Sequence, residues 1–108
     1  MLIQSTHMEI SMAEASAYFG FTILYVPDVE AAITFYEQAF GLHRSFVTDT
    51  QEYGELSTGT TRLAFSQNEF AKGLTLVSFE AARPDKSAPP VELGIVTQAV
   101  EALYQRAL

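Results

Sequence analysis

Between Tyr18 and Leu42 the chain changes its hydrophobic period. Tyr18 to Val26 is dense in aromatic and β-branched residues, the composition of a strand. Alternation puts Phe19, Phe21, Ile23 and Tyr25 on one face and Gly20, Thr22, Leu24 and Val26 on the other. Both sets are largely apolar, so the strand is expected to be covered on both sides. Pro27 ends it, because proline has no N–H to give to a ladder. From there the period is helical. Val29, Ala32, Ile33, Tyr36, Ala39 and Phe40 share one face, while Glu30, Thr34, Glu37 and Gln38 point away. Asp28 stands where an N-cap carboxylate accepts from the free amides of the first turn. Glu30 suits the positive end of the helix dipole, and Gly41 can take the left-handed conformation that closes a helix.

Leu42 to Thr48 reads as a second strand and Asp49 to Gln51 as a turn. Glu52 to Ser57 and Thr61 to Ser66 read as a hairpin whose register follows from its loop. A Gly59-Thr60 loop with glycine first, as a type II′ turn prefers, pairs Thr58 with Thr61, Leu56 with Leu63 and Gly54 with Phe65. One face is then apolar and ready for the helix. The other collects Tyr53, Glu55, Ser57, Arg62, Ala64 and Ser66; a slip of one residue would mix the two sets. Asn68 to Gly73 suggests a short helical turn, and Leu74 to Phe79 either an edge strand or a tether. Ala81 to Pro90, with three prolines, is a linker. Beyond it Val91, Leu93 and Ile95 alternate with Glu92, Gly94 and Val96 as in a strand. Thr97 is placed to cap a helix striped by Val100, Leu103, Tyr104 and Ala107.

The run TILYVPDVEAAITFYEQAFGL, with its V-x-D and F-Y-x-x-x-x-G-L pattern, resembles the first βα unit of the vicinal-oxygen-chelate superfamily, the group of glyoxalase I, bleomycin-resistance proteins and extradiol dioxygenases. The resemblance extends over residues 19–108. It implies an α+β fold: a βαβββ module of the glyoxalase/bleomycin-resistance type at residues 18–80, the linker at 81–90, and a truncated second module (βα) at 91–108. Residues 1–17 read as an N-terminal extension. In the family two modules enclose one cup. A lone second-module strand would leave an open edge, which proteins normally pair or hide, so a homodimer with a shared sheet is expected.

Composition narrows the partners. The 108 residues suffice for one domain, and a hydrophobic fraction of 48% argues against disorder. No apolar run approaches the ~20 residues of a membrane span. A formal charge of −7 disfavours nucleic acid, whose phosphates need clustered Lys and Arg. That charge serves solubility, or an acidic cleft for a cationic ligand. With no cysteine there is no disulfide or thiolate chemistry. Residues 1–17 have neither a basic start nor a continuous apolar core, so a cytoplasmic location is expected.

In metal-using members of the superfamily the ligands lie on the first and last strand of each module. Carried onto this chain, those positions hold Phe21, Ala64 and Glu92, one oxygen donor among the three. A catalytic divalent ion usually takes at least three protein ligands, so no metal and no cofactor is expected. His7 and Glu9 are two donors without a third. His43 stands alone, no Ser or Asp triad pattern accompanies it, and the glycines form no phosphate loop. The ligand-binding candidates are Phe21, Tyr25, Tyr53, Glu55, Arg62 and Glu92. The aromatic rings offer a wall to a flat or cationic ligand, although core packing is the commoner use of such rings. Glu55 can bind a cation or act as a base, or simply pair with Arg62 at the surface. The chain thus reads as a metal-free protein that binds a cationic or aromatic small molecule, with catalysis left open. The alternative is a metal-dependent lyase or dioxygenase of the same superfamily with ligands from other residues.

Overall fold

A computed structural model describes residues 16–75 and 78–108. In chain order its elements are β1 (Phe21–Val26), α1 (Val29–Phe40), β2 (His43–Val47), β3 (Tyr53–Thr58), β4 (Thr61–Gln67), α2 (Asn68–Leu74) and α3 (Val100–Ala107). The four strands form one sheet in the order β1-β4-β3-β2. β1 runs parallel to β4, and the other pairs are antiparallel. This is the βαβββ order expected of the first module, its elements spanning residues 21–67. His7, Glu9 and the rest of residues 1–15 lie outside the described residues.

The helix forms where its signals placed it. Asp28 Oδ1 accepts from the Ala31 amide at 2.9 Å, and Gly41 closes the helix at φ 70°. Removing the cap as Asp28→Ala should cost about 1 kcal/mol, read as a lower urea midpoint with an unchanged slope. Val29 and Ile33 of α1 pack on Leu56, Leu63 and Phe65 to form the core. Leu24, Val26, Tyr36, Leu42 and Val47 border it. Burying such side chains contributes ~1.5–3 kcal/mol each. The hairpin has the expected register, with Thr58 opposite Thr61, Leu56 opposite Leu63 and Gly54 opposite Phe65.

Several details differ from the reading of the sequence. β1 starts at Phe21, not Tyr18, because β4 begins at Thr61 and offers no partner to the two preceding aromatics. Tyr18 and Phe19 are exposed, so Phe19 does not share the sheet face with Phe21. Glu30 and Glu37 do not simply face solvent: Arg44 of β2 reaches them at 2.9 Å each. Their carboxylates raise the guanidinium's pKa, Glu30 first and then Glu37, and they tie β2 to α1.

Residues 75 and 78–80 form no strand, which leaves the tether reading for that stretch; Leu76 and Val77 lie outside the described residues. Residues 91–97 form no strand either. Their alternation is strand-like, but a strand needs a neighbour to take its amides and carbonyls, and among the described residues none pairs with it. α3 forms as expected and lies against α1, with Arg106 Nε donating to the Ala39 carbonyl at 3.1 Å. Of its stripe, Leu103 and Ala107 are half-buried, whereas Val100 and Tyr104 are exposed. Its N-cap is Ala99 and not Thr97; the Thr97 hydroxyl instead accepts from the Ala99 amide at 3.0 Å.

Candidate functional site

The sheet face turned away from α1 carries the polar and aromatic residues. Strand register arranges it in rows, since side chains directly opposite one another share a face. One row runs His43, Ser57, Arg62, Phe21; the next runs Phe46, Glu55, Ala64, Ile23; a third runs Tyr53, Ser66, Tyr25. Five of the six predicted binding residues, Phe21, Tyr25, Tyr53, Glu55 and Arg62, therefore stand on one face. Glu92 does not join them: it is exposed in residues 91–97, outside the sheet.

Glu55 is the centre of this face. It is 7% exposed, an uncommon state for a carboxylate, and such a group needs partners. Tyr53 donates its hydroxyl to Glu55 Oε2 at 2.6 Å. Arg62 Nη1 lies 3.4 Å from Glu55 Oε1, with its side chain 62% exposed against 10% for the glutamate. The two partners differ in kind. Tyr53 is two residues away on the same strand and half-buried, and its ring lies 5.9 Å from that of Phe46. Burial, then the bond to Glu55, pushes the Tyr53 phenol well above its ordinary pKa, so it stays protonated and donating. Arg62 is a long side chain with most of its surface in water, and its ion pair with one oxygen is longer than a good hydrogen bond.

One end of the face is closed by the segment after β4. Ala71 of α2 is buried, and the Phe79 ring packs on Tyr25 at 4.6 Å. Lys72 places its ammonium 6.0 Å from the Phe79 ring centre. Phe46 and Phe79 are the residues that reading the sequence missed. Phe46 is hidden by a bulge between Arg44 and Phe46. Strict alternation would group it with Arg44 on the helix side, whereas the extra residue Ser45 turns Phe46 to the face of Glu55. Phe79 follows residues that form no regular element, and nothing in its spacing marks it.

The described residues bring no group of three or more His, Asp or Glu side chains together. Phe21 and Ala64 offer no donor atom, and Glu55 is engaged by Tyr53 and Arg62. Among the described residues, the donors on this face therefore do not fit a divalent ion. A cavity of about 560 Å³ is lined by Glu80 and by linker residues, among them Asp85, Lys86 and Pro89, and by none of the sheet residues. No helix among the described residues is long and apolar enough to cross a membrane.

The fold has counterparts among solved structures. The chain is similar in structure to a glyoxalase/bleomycin resistance protein/dioxygenase from Nocardioides, at 22% identity and a TM-score of 0.62 over 85% of this chain. It spans 63% of the length of that protein. It is also similar to a lactoylglutathione lyase from Agrobacterium tumefaciens, at 20% identity and a TM-score of 0.52, covering 85% of this chain and 69% of that one. At these identities the likeness speaks to the fold alone. No curated protein matches the chain. The family model described as Glyoxalase/Bleomycin resistance protein/Dioxygenase superfamily matches residues 18–107, nearly all of the described chain, and the protein belongs to that superfamily.

Proposed function

We propose that the protein binds a cationic or aromatic small molecule on the sheet face that carries Glu55, within a cup completed by a second copy of the chain. The observation that carries this reading is Glu55 itself. A nearly buried carboxylate flanked by Tyr53 and Phe46 offers a cation both a counter-charge and ring faces, and cation–ring contacts are strongest where water is excluded. Neither Glu55 nor Tyr53 belongs to the core cluster beneath α1, so the hydrophobic core does not depend on them. The second copy is supported by exposed apolar residues, Val91 and Val96 at 61% and 99% among them. Such side chains, when contiguous, mark association surfaces.

The test is a thermal-shift panel of organic cations and aromatic molecules on the wild type and Glu55→Gln. Cationic members should raise Tm in the wild type, since a ligand at 100 times its Kd stabilises by about 2.7 kcal/mol, and the shift should vanish in the variant. If no member of a broad panel shifts Tm, the binding reading fails. A stoichiometric divalent ion in protein purified without chelator would overturn the metal-free part.

A further inference from the structure

We infer that the Glu55–Arg62 pair is an exchangeable one, and that the face takes a ligand with an α-amino acid headgroup, its ammonium on Glu55 and its carboxylate on Arg62. The inference rests on the ligand-binding reading above and narrows its ligand class. The two charges are unequal in what they need. Glu55 is nearly buried and would be costly to leave unpaired, whereas Arg62 is largely in water and loses little on letting go. Their contact is 3.4 Å and single, far from the two-pronged arrangement a guanidinium makes with a carboxylate it is fitted to. Tyr53 keeps Oε2 of Glu55 occupied at 2.6 Å, so Oε1 is the atom open to exchange.

The charge balance then selects among ligands. A pure anion drawn to Arg62 would leave Glu55 with the Tyr53 bond alone. A pure cation satisfies Glu55 but leaves the Arg62 fork unused. A headgroup carrying both charges on neighbouring atoms satisfies Glu55 and offers Arg62 the two parallel bonds it lacks. Ser57, directly opposite Arg62 in the register, adds a hydroxyl in the same row. Phe21 stands beside Arg62 on the other side, and Ile23 and Tyr25 follow it along β1. These supply an apolar strip for the side chain of the bound molecule.

Calorimetric titration with three matched probes tests this: L-phenylalanine, phenethylamine, which lacks the carboxylate, and 3-phenylpropionate, which lacks the amine. L-phenylalanine should bind about tenfold or more tighter than phenethylamine, the worth of a charge-assisted bidentate bond, and 3-phenylpropionate should bind weakest. Arg62→Gln, a change at an exposed position, should abolish the preference for L-phenylalanine over phenethylamine, while phenethylamine, no longer competing with the guanidinium for Glu55, should bind at least as tightly as to the wild type. Equal binding of the two amines by the wild type overturns the headgroup assignment while leaving a cation site at Glu55 intact. Absence of L-phenylalanine binding also overturns it, and the thermal-shift panel then decides separately whether the face binds any ligand.

Discussion

Gly54→Val should lower the unfolding free energy by about 3 kcal/mol, at the upper end of what overpacking a core costs. Gly54 lies in β3 opposite Phe65, on the face that α1 covers. A Cβ at this position would sit 2.5 Å from Ile33 Cδ1 and 3.1 Å from both the Phe46 carbonyl oxygen and Val47 Cγ2. One of these neighbours is backbone. Another, Ile33, is fully buried and cannot turn away without opening the contact between helix and sheet. Side chains in such interiors are packed to crystal-like density, so strain spreads and is not absorbed locally. Gly54→Ala should show the same effect in smaller measure, because only the first carbon must be accommodated. Urea unfolding followed by circular dichroism measures both. A valine variant with the wild-type midpoint would mean that α1 does not approach β3 as closely as the structure has it.

What was legible in the sequence follows from where local and long-range demands agree. Asp28, the stripe from Val29 to Phe40, and Gly41 each independently mark one helix, and the helix formed between them. The register of β3 against β4 was readable because the Gly59-Thr60 turn and the segregation of Leu56 and Leu63 from Glu55 and Arg62 demand the same pairing. That register also brought Tyr53, Glu55 and Arg62 to one face. The bulge at Ser45 has no such signature. Beside it Arg44 reaches Glu30 and Glu37 across the fold, contacts between residues 14 and 7 positions apart that alternation along one strand does not encode. Phe46 was lost to the reading with it. The stretch 91–97 fails for the opposite reason: its pattern is strand-like, but alternation states only what a strand would look like, and its formation depends on an available edge.

The second large effect concerns that edge. Light scattering should give a dimer mass for the wild type and a monomer mass for Phe21→Asp. Among the described residues β1 ends the sheet, bonded to β4 on one side and to no strand on the other, an edge that can take a strand. Residues 91–97 carry the alternation of a strand, and in one chain they form none. The linker of residues 81–90 can extend ~33–36 Å at the limiting rise per residue, enough to carry residues 91–97 of one copy to β1 of another. A two-fold arrangement lets each copy give its segment and receive the other's, since a two-fold interface reuses one patch. Phe21, Ile23 and Tyr25 would then be covered, at ~1.5–3 kcal/mol for each side chain fully buried. An aspartate at position 21 puts a charge into that shared face, where it is costly unless paired. Within one chain it falls beside Arg62, its register partner on β4, so the folded monomer has a counter-charge for it and should survive. The variant should therefore lose the dimer while keeping the circular dichroism spectrum of a folded α+β chain. A variant that remains dimeric and equally stable, or a wild type that is monomeric throughout, would mean that β1 and residues 91–97 do not meet across two copies.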